Sequence, residues 1–169
     1  PKIRIGEVIE NRELKKNEKI SFTTNKSIVN KKNIIEINYP SFAKDVKSGD
    51  KVLIDDGKII FKAISSNKND VVEVKVIQEG ILKSRKGVNL PNTKISQPAL
   101  TKKDIGDAIF ALKNSFDWIA LSFVRSKKDI LELKELISKN CDHHIPIISK
   151  IEKPEAIKKM DEIIKVSNG

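Results

Sequence analysis

The chain has 169 residues, of which 38% are hydrophobic and 33% are charged, and its net charge is +10. This length fits one domain or two small ones, and the composition excludes a disordered, collagen-like or coiled-coil chain. No apolar stretch approaches the roughly 18 residues of a membrane span, and no charged-then-apolar leader opens the sequence.

The positive charge is concentrated in the first part of the chain. Residues 1–100 hold 20 basic and 12 acidic side chains, a net of +8, whereas residues 101–169 hold 13 and 11, a net of +2. This imbalance indicates an anionic partner for the first part, with a solvated lysine-rich face as the alternative. The single cysteine, Cys141, forms no internal disulfide and is typical of a reducing compartment, so we expect a cytoplasmic protein.

Short β-branched runs separated by turn residues fill the first hundred positions, a pattern typical of a small β-barrel or sandwich. The Asp56-Gly57 pair lies between two such runs and predicts a hairpin, because a type I′ turn needs φ > 0 at both central residues. In chain order, the predicted strands cover residues 2–9, 19–24, 33–37, 51–54, 58–64 and 71–77.

After residue 92 the pattern changes to alternating helices and strands, which predicts βαβ units with parallel pairing. Thr101 and Asp104 are spaced as a capping box for the first helix. Ser126 with Asp129 starts a second helix, and Pro154 suits the first turn of a third. The apolar positions of the three helices predict buried faces formed by Ile105, Ala108, Ile109 and Leu112, by Ile130, Leu133 and Ile137, and by Ile157, Met160 and Ile164.

Two nearly continuous apolar runs, 117–123 and 145–152, are predicted as strands buried on both faces. Lys150 and Glu152 end the second strand two positions apart, so strand alternation places both side chains on one face. Ligands of parallel α/β proteins gather at the carboxyl ends of the strands. A carboxylate that holds a divalent metal, beside an ammonium that offsets charge on a transferring group, suits phosphoryl transfer. The alternative is a plain ion pair at a solvated strand end.

Three further groups are weaker candidates. Ser122 and Arg125 end the preceding strand as substrate-side residues, although solvated polar side chains explain them equally well. Residues 83–87 place three cations before a glycine, which suits close approach to phosphate oxygens, but a mobile basic loop gives the same pattern. Asp55 and Asp56 could approach a hydrated metal, but turn chemistry already accounts for Asp56.

Other motifs are weak or missing. Cys141, His143 and His144 are close in sequence, but a zinc site normally needs a fourth ligand and a matching pair elsewhere. The sequence has neither a Walker A motif nor a G-x-G-x-x-G motif. A basic β-barrel that binds nucleic acid is the alternative function, although aromatic residues are only 5% of the chain and base-stacking platforms are poorly supplied.

Six segments, in the same order along the chain, resemble the pyruvate kinase family. The first of them is similar to the family's P-E-I-R, and together the six cover nearly the whole sequence. They are PKIR at 1–4, GDKVLIDDGKI at 49–59, KGVNLP at 86–91, ALTKKDIGD at 99–107, IALSFVRS at 119–126 and IISKIEKPEAI at 147–157.

The resemblance implies a small β-barrel lid domain at residues 1–98, followed by part of a (β/α)₈ TIM barrel at residues 99–169. This fold class, mixed β and α/β, agrees with the one expected from the residues alone. About three βα units cannot close an eight-stranded barrel. We therefore expect a fragment that is inactive by itself and exposes apolar faces.

The resemblance also implies the reaction and its metals. Phosphate would pass from phosphoenolpyruvate to ADP, giving pyruvate and ATP. Lys150 would stabilise the transferring phosphoryl group and the developing enolate, and Glu152 would bind the catalytic Mg²⁺ or Mn²⁺. K⁺ is implied as well, with ligands that the family places before residue 1, and a second metal carboxylate is expected beyond residue 169.

For the lid, the resemblance implies that Arg4 and Lys86 contact nucleotide phosphates and that Asp55 or Asp56 belongs to the lid's turn. The parent enzyme would be a cytoplasmic homotetramer with no membrane or nucleic-acid partner.

Overall fold

The structure, a computed structural model, describes residues 2–29, 33–96 and 98–169. These residues form two compact units, Lys2–Ser96 and 98–169, each with its own hydrophobic core. The first unit is rich in strands and the second alternates helices with strands, so the expected mixture of β and α/β structure is confirmed. None of the helices in these residues is both long enough and apolar enough to cross a membrane.

The first unit is built from short strands that pair mainly in antiparallel fashion. Its elements are β1 (Arg12–Leu14), β2 (Lys19–Thr23), a 3₁₀ turn (Lys26–Ile28), β3 (Ile34–Glu36), α1 (Phe42–Asp45), β4 (Lys51–Ile54), β5 (Ile59–Ser66), β6 (Val71–Gln78), β7 (Gly80–Leu82) and β8 (Val88–Asn89). Six strands form a mixed sheet, a half-barrel in the order β3-β2-β6-β5-β4-β8, and β1 pairs separately with β7. Of these pairs, β2–β3 is parallel.

The N-terminal segment connects the two edges of this sheet. Arg4 bridges to Gly87 next to β8, and Ile5 bridges to Ile37 next to β3. Because its hydrogen bonds are shared between two partners, the segment forms isolated bridges, and the prediction of one strand over 2–9 was wrong. The short strands β1, β7 and β8 were not predicted.

Alternation of apolar and polar residues explains the core of the first unit. Along β6, Val72, Val74 and Val76 are buried while the residues between them face outward. Phe22 packs edge-to-face against Phe42 and Phe61, with ring centroids 6.0 and 5.3 Å apart. Such aromatic contacts add to the burial of large apolar side chains.

The predicted hairpin between β4 and β5 is confirmed. Lys58 N donates to Asp55 O at 3.1 Å, and the two central residues, Asp56 and Gly57, have φ of 56° and 89°. Positive φ at both positions is the signature of a type I′ turn. Asp55 also has positive φ, at 53°, so three consecutive residues of this turn adopt left-handed conformations.

The second unit contains α2 (Lys102–Lys113), β9 (Ile119–Leu121), α3 (Lys127–Asn140), β10 (Ile147–Ser149), α4 (Pro154–Ile157) and α5 (Met160–Ile164). Strands β9 and β10 are parallel, with Ile148 opposite Ala120. The predicted capping box is present, because Thr101 and Asp104 exchange side-chain and backbone hydrogen bonds at the start of α2. Pro154 occupies the first turn of α4 as expected.

Two predictions for this unit were wrong. The third helix is divided into α4 and α5, and this turns Ile157 and Ile164 outward, at 66% and 62% exposure, while Ala156 and Ile163 are buried. The two strands are also shorter than predicted and are open on one face, where Ile148 is 39% exposed. The apolar run alone does not show whether both faces of a strand are covered.

Candidate active site

The carboxyl ends of β9 and β10 bring Lys150 and Ser122 together. Lys150 follows β10 directly, and its backbone N donates to Leu121 O at 2.9 Å, which continues the parallel ladder. Its side-chain Nζ lies 3.3 Å from Ser122 Oγ, to which it donates. The sheet therefore fixes Lys150 by its backbone and Ser122 orients the ammonium.

Glu152 lies beside Lys150, although β10 ends at Ser149 and both residues follow the strand. Lys150 Nζ is 3.2 Å from Glu152 Oε1, and the two side chains are 46% and 33% exposed. Ser149 and Ile151 point to the other side, where they line a cavity of about 230 Å³ with residues of α5 and the C-terminal segment. An ammonium and a carboxylate are thus held together and remain open to a ligand.

The second oxygen of Glu152 is held by the backbone. Phe123 N donates to Glu152 Oε2 at 3.0 Å. Phe123 has a φ of 59°, a left-handed conformation that is costly for a residue with a bulky side chain. This turn after β9 aims an amide at the carboxylate and so restricts its orientation.

Arg125 forms an ion pair with Asp129. Its backbone N, Nε and Nη2 all donate to the Asp129 carboxylate, at 2.9, 3.2 and 3.1 Å. Asp129 is buried in the first turn of α3, so this ion pair ties the loop after β9 to the helix. Sequence analysis treated Asp129 as a helix-start residue, and its bonds to Arg125, which precedes the N-cap of α3, were not predicted. Ser126 makes no side-chain cap there.

Lys153 is a buried lysine that sequence analysis did not identify. It is 4% exposed and precedes α4 as its N-cap residue. Burial lowers the pKa of Lys153; Glu155 opposes this effect and the positive charge of Arg125 adds to it. No short sequence pattern predicts this burial, because lysines are mostly exposed.

In the first unit, the turn between β4 and β5 meets the basic loop before β8. Lys86 Nζ lies 3.0 Å from Asp55 Oδ1, and Lys58 Nζ lies 3.4 Å from Asp55 Oδ2. The pKa of Asp55 is lowered mainly by its hydrogen bond with Lys86, and Lys58 contributes further. Asp56 is exposed at the tip of the turn.

Arg4 is held by hydrogen bonds to two loop residues, Arg85 and Asn38. Its Nη1 donates to Arg85 O at 2.8 Å, and its backbone N donates to Asn38 Oδ1 at 2.6 Å. The Arg85 side chain in turn pairs with Glu7, with Nη2 and Oε1 2.6 Å apart. Arg4, Lys86 and Asp55 are thus all positioned around the 85–87 loop.

His, Cys, Asp and Glu are the side-chain types that bind metals. Among the described residues, no three of these side chains form a group that could hold a metal. Cys141 Sγ contacts His143 Nδ1 at 3.0 Å, but His144 contacts Asn168 instead, at 3.4 Å. Glu152 remains the suitable single ligand at the strand ends, since Mg²⁺ is often held by one or two carboxylates together with substrate phosphates.

Comparison with known proteins identifies the family. The family model described as "Pyruvate kinase, barrel domain" matches residues 1–169. Pyruvate kinases of Clostridium perfringens and Corynebacterium glutamicum are 38% and 40% identical over 93% and 97% of this chain. A pyruvate kinase of Clostridium acetobutylicum is 36% identical over 100% of it. The chain spans 33%, 34% and 36% of these three relatives, respectively, about a third of their length. It belongs to the pyruvate kinase family.

Proposed function

We propose that this chain carries part of the active site of a pyruvate kinase, which transfers the phosphoryl group of phosphoenolpyruvate to ADP. The observation that supports this most strongly is the 3.2 Å contact between Lys150 Nζ and Glu152 Oε1, directly after a parallel strand. Family membership supplies the reaction, and this pair supplies the two kinds of charge that the reaction needs.

Lys150 is the catalytic residue of the proposal. In the reaction, the bond between phosphorus and the enol oxygen breaks, and a bond between phosphorus and a terminal oxygen of ADP forms. Negative charge moves onto the enolate oxygen, and a proton then adds to the enolate carbon to give pyruvate. The Lys150 ammonium stabilises the charge on the phosphoryl group and on the enolate, which is the main form of catalysis in phosphoryl transfer.

Glu152 is the proposed metal ligand. Mg²⁺ or Mn²⁺ bound there would neutralise charge on the phosphoryl oxygens. The Phe123 amide restricts one carboxylate oxygen, at 3.0 Å, and this keeps the other oxygen beside Lys150. Ser122 holds the ammonium from the substrate side, whereas Arg125 supports the loop through Asp129. K⁺ is a further proposed cofactor on the family resemblance.

Arg4 and Lys86 are the proposed nucleotide contacts. Both lie at the 85–87 loop, where cations can approach phosphate oxygens closely. Asp55 forms an ion pair with Lys86 and so competes with phosphate oxygens for it, and Asp56 extends the same turn. ADP and ATP would bind on this face of the first unit.

The two units correspond in this proposal to a lid domain, residues 1–98, and part of a TIM barrel, residues 99–169. The second assignment is supported at the edge of β10 opposite β9, where Ser149 N donates to Gly169 O at 2.8 Å and Gly169 N to Ile147 O at 3.2 Å. Gly169 thus bonds to the edge of β10 that β9 leaves free. A homotetrameric enzyme in the cytoplasm is the assembly that the family resemblance favours.

The proposal is tested by steady-state turnover of the full encoded polypeptide with phosphoenolpyruvate, ADP and Mg²⁺. Lys150→Met should lower kcat by about 10²-fold or more, because a charge that stabilises the transition state is lost. Lys158→Met, an exposed lysine eight residues later, is the matched control and should leave kcat unchanged. A Lys150→Met enzyme with normal kcat would refute the proposal.

A further inference from the structure

Four lysines lie in a row across the outer face of the first unit's sheet. Lys19 is opposite Lys75, Lys75 is opposite Lys62, and Lys62 is opposite Lys51. The row therefore crosses β2, β6, β5 and β4, and its members alternate with buried residues on every strand. Three strand spacings of about 4.8 Å make this lysine row about 14 Å long.

Such a row opposes the stability of the sheet. Like charges directly opposite one another on neighbouring strands are destabilising. Glu73 reaches Lys19 at 3.7 Å and also contacts Ser65, so it offsets one end of the row. Across Lys75, Lys62 and Lys51, a local arrangement that costs stability is typical of a surface kept for a function outside the fold itself.

An apolar row runs beside the lysine row. On β4 and β5, two positions from the lysines, Leu53 lies opposite Ile60, and both side chains are half-buried. On β6 a bulge places Gln78 opposite Ile60, and the neighbouring Ile77 is 43% exposed. Residues two apart on a strand are separated by about 6.7 Å, so the lysine row and the apolar row are parallel stripes. A partner that covers both rows needs acidic side chains opposite the lysine row and apolar side chains opposite the apolar row.

We propose that the lysine row and the apolar row form a docking surface for an acidic amphipathic helix of a protein partner. One helical turn advances 5.4 Å, close to the strand spacing, so Asp or Glu side chains three or four residues apart can meet successive lysines. Leu or Ile side chains on the adjacent face of the helix would cover the apolar row. Charge complementarity of this kind sets orientation and association rate.

The apolar row favours this partner over nucleic acid. Single-stranded nucleic acid binds through aromatic side chains on which its bases stack. The apolar side chains beside the lysines, Leu53, Ile60 and Ile77, are all aliphatic, whereas Phe22 and Phe61 are buried in the core. Aliphatic side chains fit the apolar face of a helix.

The test measures binding of the full encoded polypeptide to a synthetic helical peptide of about 15 residues, long enough to form a helix. The peptide carries Glu at every third or fourth position beside a stripe of Leu. Its controls are a scrambled peptide of the same composition and a single-stranded DNA oligonucleotide. The variant Lys62→Gln/Lys75→Gln removes the centre of the row, and Lys44→Gln/Lys47→Gln removes the same charge from exposed lysines elsewhere.

The helical peptide should bind more tightly than its scrambled form, and the central variant should weaken that binding about tenfold, as expected for the loss of two ion pairs. The central variant should also unfold at an equal or higher denaturant concentration, because opposed charges are removed. Three results would overturn the proposal: equal binding of both peptides, an equal loss in the Lys44/Lys47 variant, or tighter binding of the oligonucleotide.

Discussion

The two units differ in how completely their sheets are covered. In the first unit, the segment at Arg4 and Ile5 bonds to both edges of a six-stranded sheet, around a core that includes three fully buried phenylalanines. In the second unit, a two-stranded parallel sheet leaves Trp118 and Ile148 exposed at 49% and 39%. The candidate catalytic pair lies on the less covered sheet. The stability of the first unit's core and the role of the Lys150–Glu152 pair can therefore be tested separately.

The largest effect is expected from the core of the first unit. Phe61 is fully buried and contacts Phe22, so Phe61→Ala should lower the free energy of unfolding of this unit by about 3–5 kcal/mol. Chemical denaturation monitored by circular dichroism measures the loss. Ile77→Ala, a change on the exposed face of β6, is the control and should cost far less. Equal losses in the two variants would show that the assigned core is wrong.

Hydrogen exchange should separate the two sheets directly. Amides of β6, which lies between β2 and β5, are expected to exchange about a hundredfold more slowly than those of β10 in the 169-residue chain. The physical reason is that β6 has strands on both sides and a buried face, whereas the exposed Ile148 leaves one face of β10 open. Equal exchange rates for the amides of β6 and β10 would contradict the difference in sheet coverage between the two units.

Breaking the capping box of α2 should lower the free energy of unfolding by a smaller amount that depends on pH. Burial tends to raise the pKa of Asp104, but hydrogen bonds from the Thr101 hydroxyl and backbone outweigh it, so that pKa is lowered. A lowered pKa stabilises the fold above the unfolded value of about 3.9, and this contribution is lost as the pH falls through the folded value. Thr101→Val should therefore cost about 0.5–2 kcal/mol at pH 7 and progressively less below about pH 4.

Thermal unfolding of wild type and Thr101→Val across this pH range measures the difference. Asp107→Asn, which breaks an exposed ion pair with Lys103 in the same helix, is the control and should cost about 0.5 kcal/mol or less. A Thr101→Val penalty that stays constant from pH 7 to pH 3 would contradict the role assigned to Asp104.

The smallest effect is a change in ADP affinity on substitution of Asp55, in the turn between β4 and β5. Asp55→Asn removes the carboxylate that holds Lys86, so Lys86 becomes available to phosphate oxygens. Affinity for metal-free ADP should rise about two- to fivefold, in line with the weakness of exposed ion pairs. Calorimetric titration of the full encoded polypeptide measures it. A large loss of ADP affinity would instead assign Asp55 a direct contact with the nucleotide.

Sequence analysis predicted most accurately the features that depend on a single pattern of neighbouring residues. The strands predicted over 58–64 and 71–77, the Asp-Gly turn and the capping box at Thr101 each depend on neighbouring residues, and all are confirmed. The segment 2–9 was predicted less well because its two-sided pairing depends on distant strands. The outward position of Ile157 likewise depends on the break between α4 and α5.

The candidate site shows the same division between local and distant effects. The contact of Lys150 with Glu152 was predicted from strand alternation, a local rule, although both residues lie just beyond the end of β10. The burial of Lys153 and the Phe123 amide at Glu152 depend on how the loop after β9 folds back, which no short pattern encodes. Arg125 was predicted on the substrate side; that stays a prediction, and the structure pairs Arg125 with Asp129.

The most direct test of the paired charges is Mn²⁺ affinity, measured by electron paramagnetic resonance on the full encoded polypeptide and two variants. Glu152→Gln should weaken Mn²⁺ binding about tenfold or more, because it removes a ligand. Lys150→Met should leave it unchanged or strengthen it, because the 3.2 Å ion pair no longer competes for the carboxylate. Unchanged affinity in Glu152→Gln, or equal losses in both variants, would contradict the account.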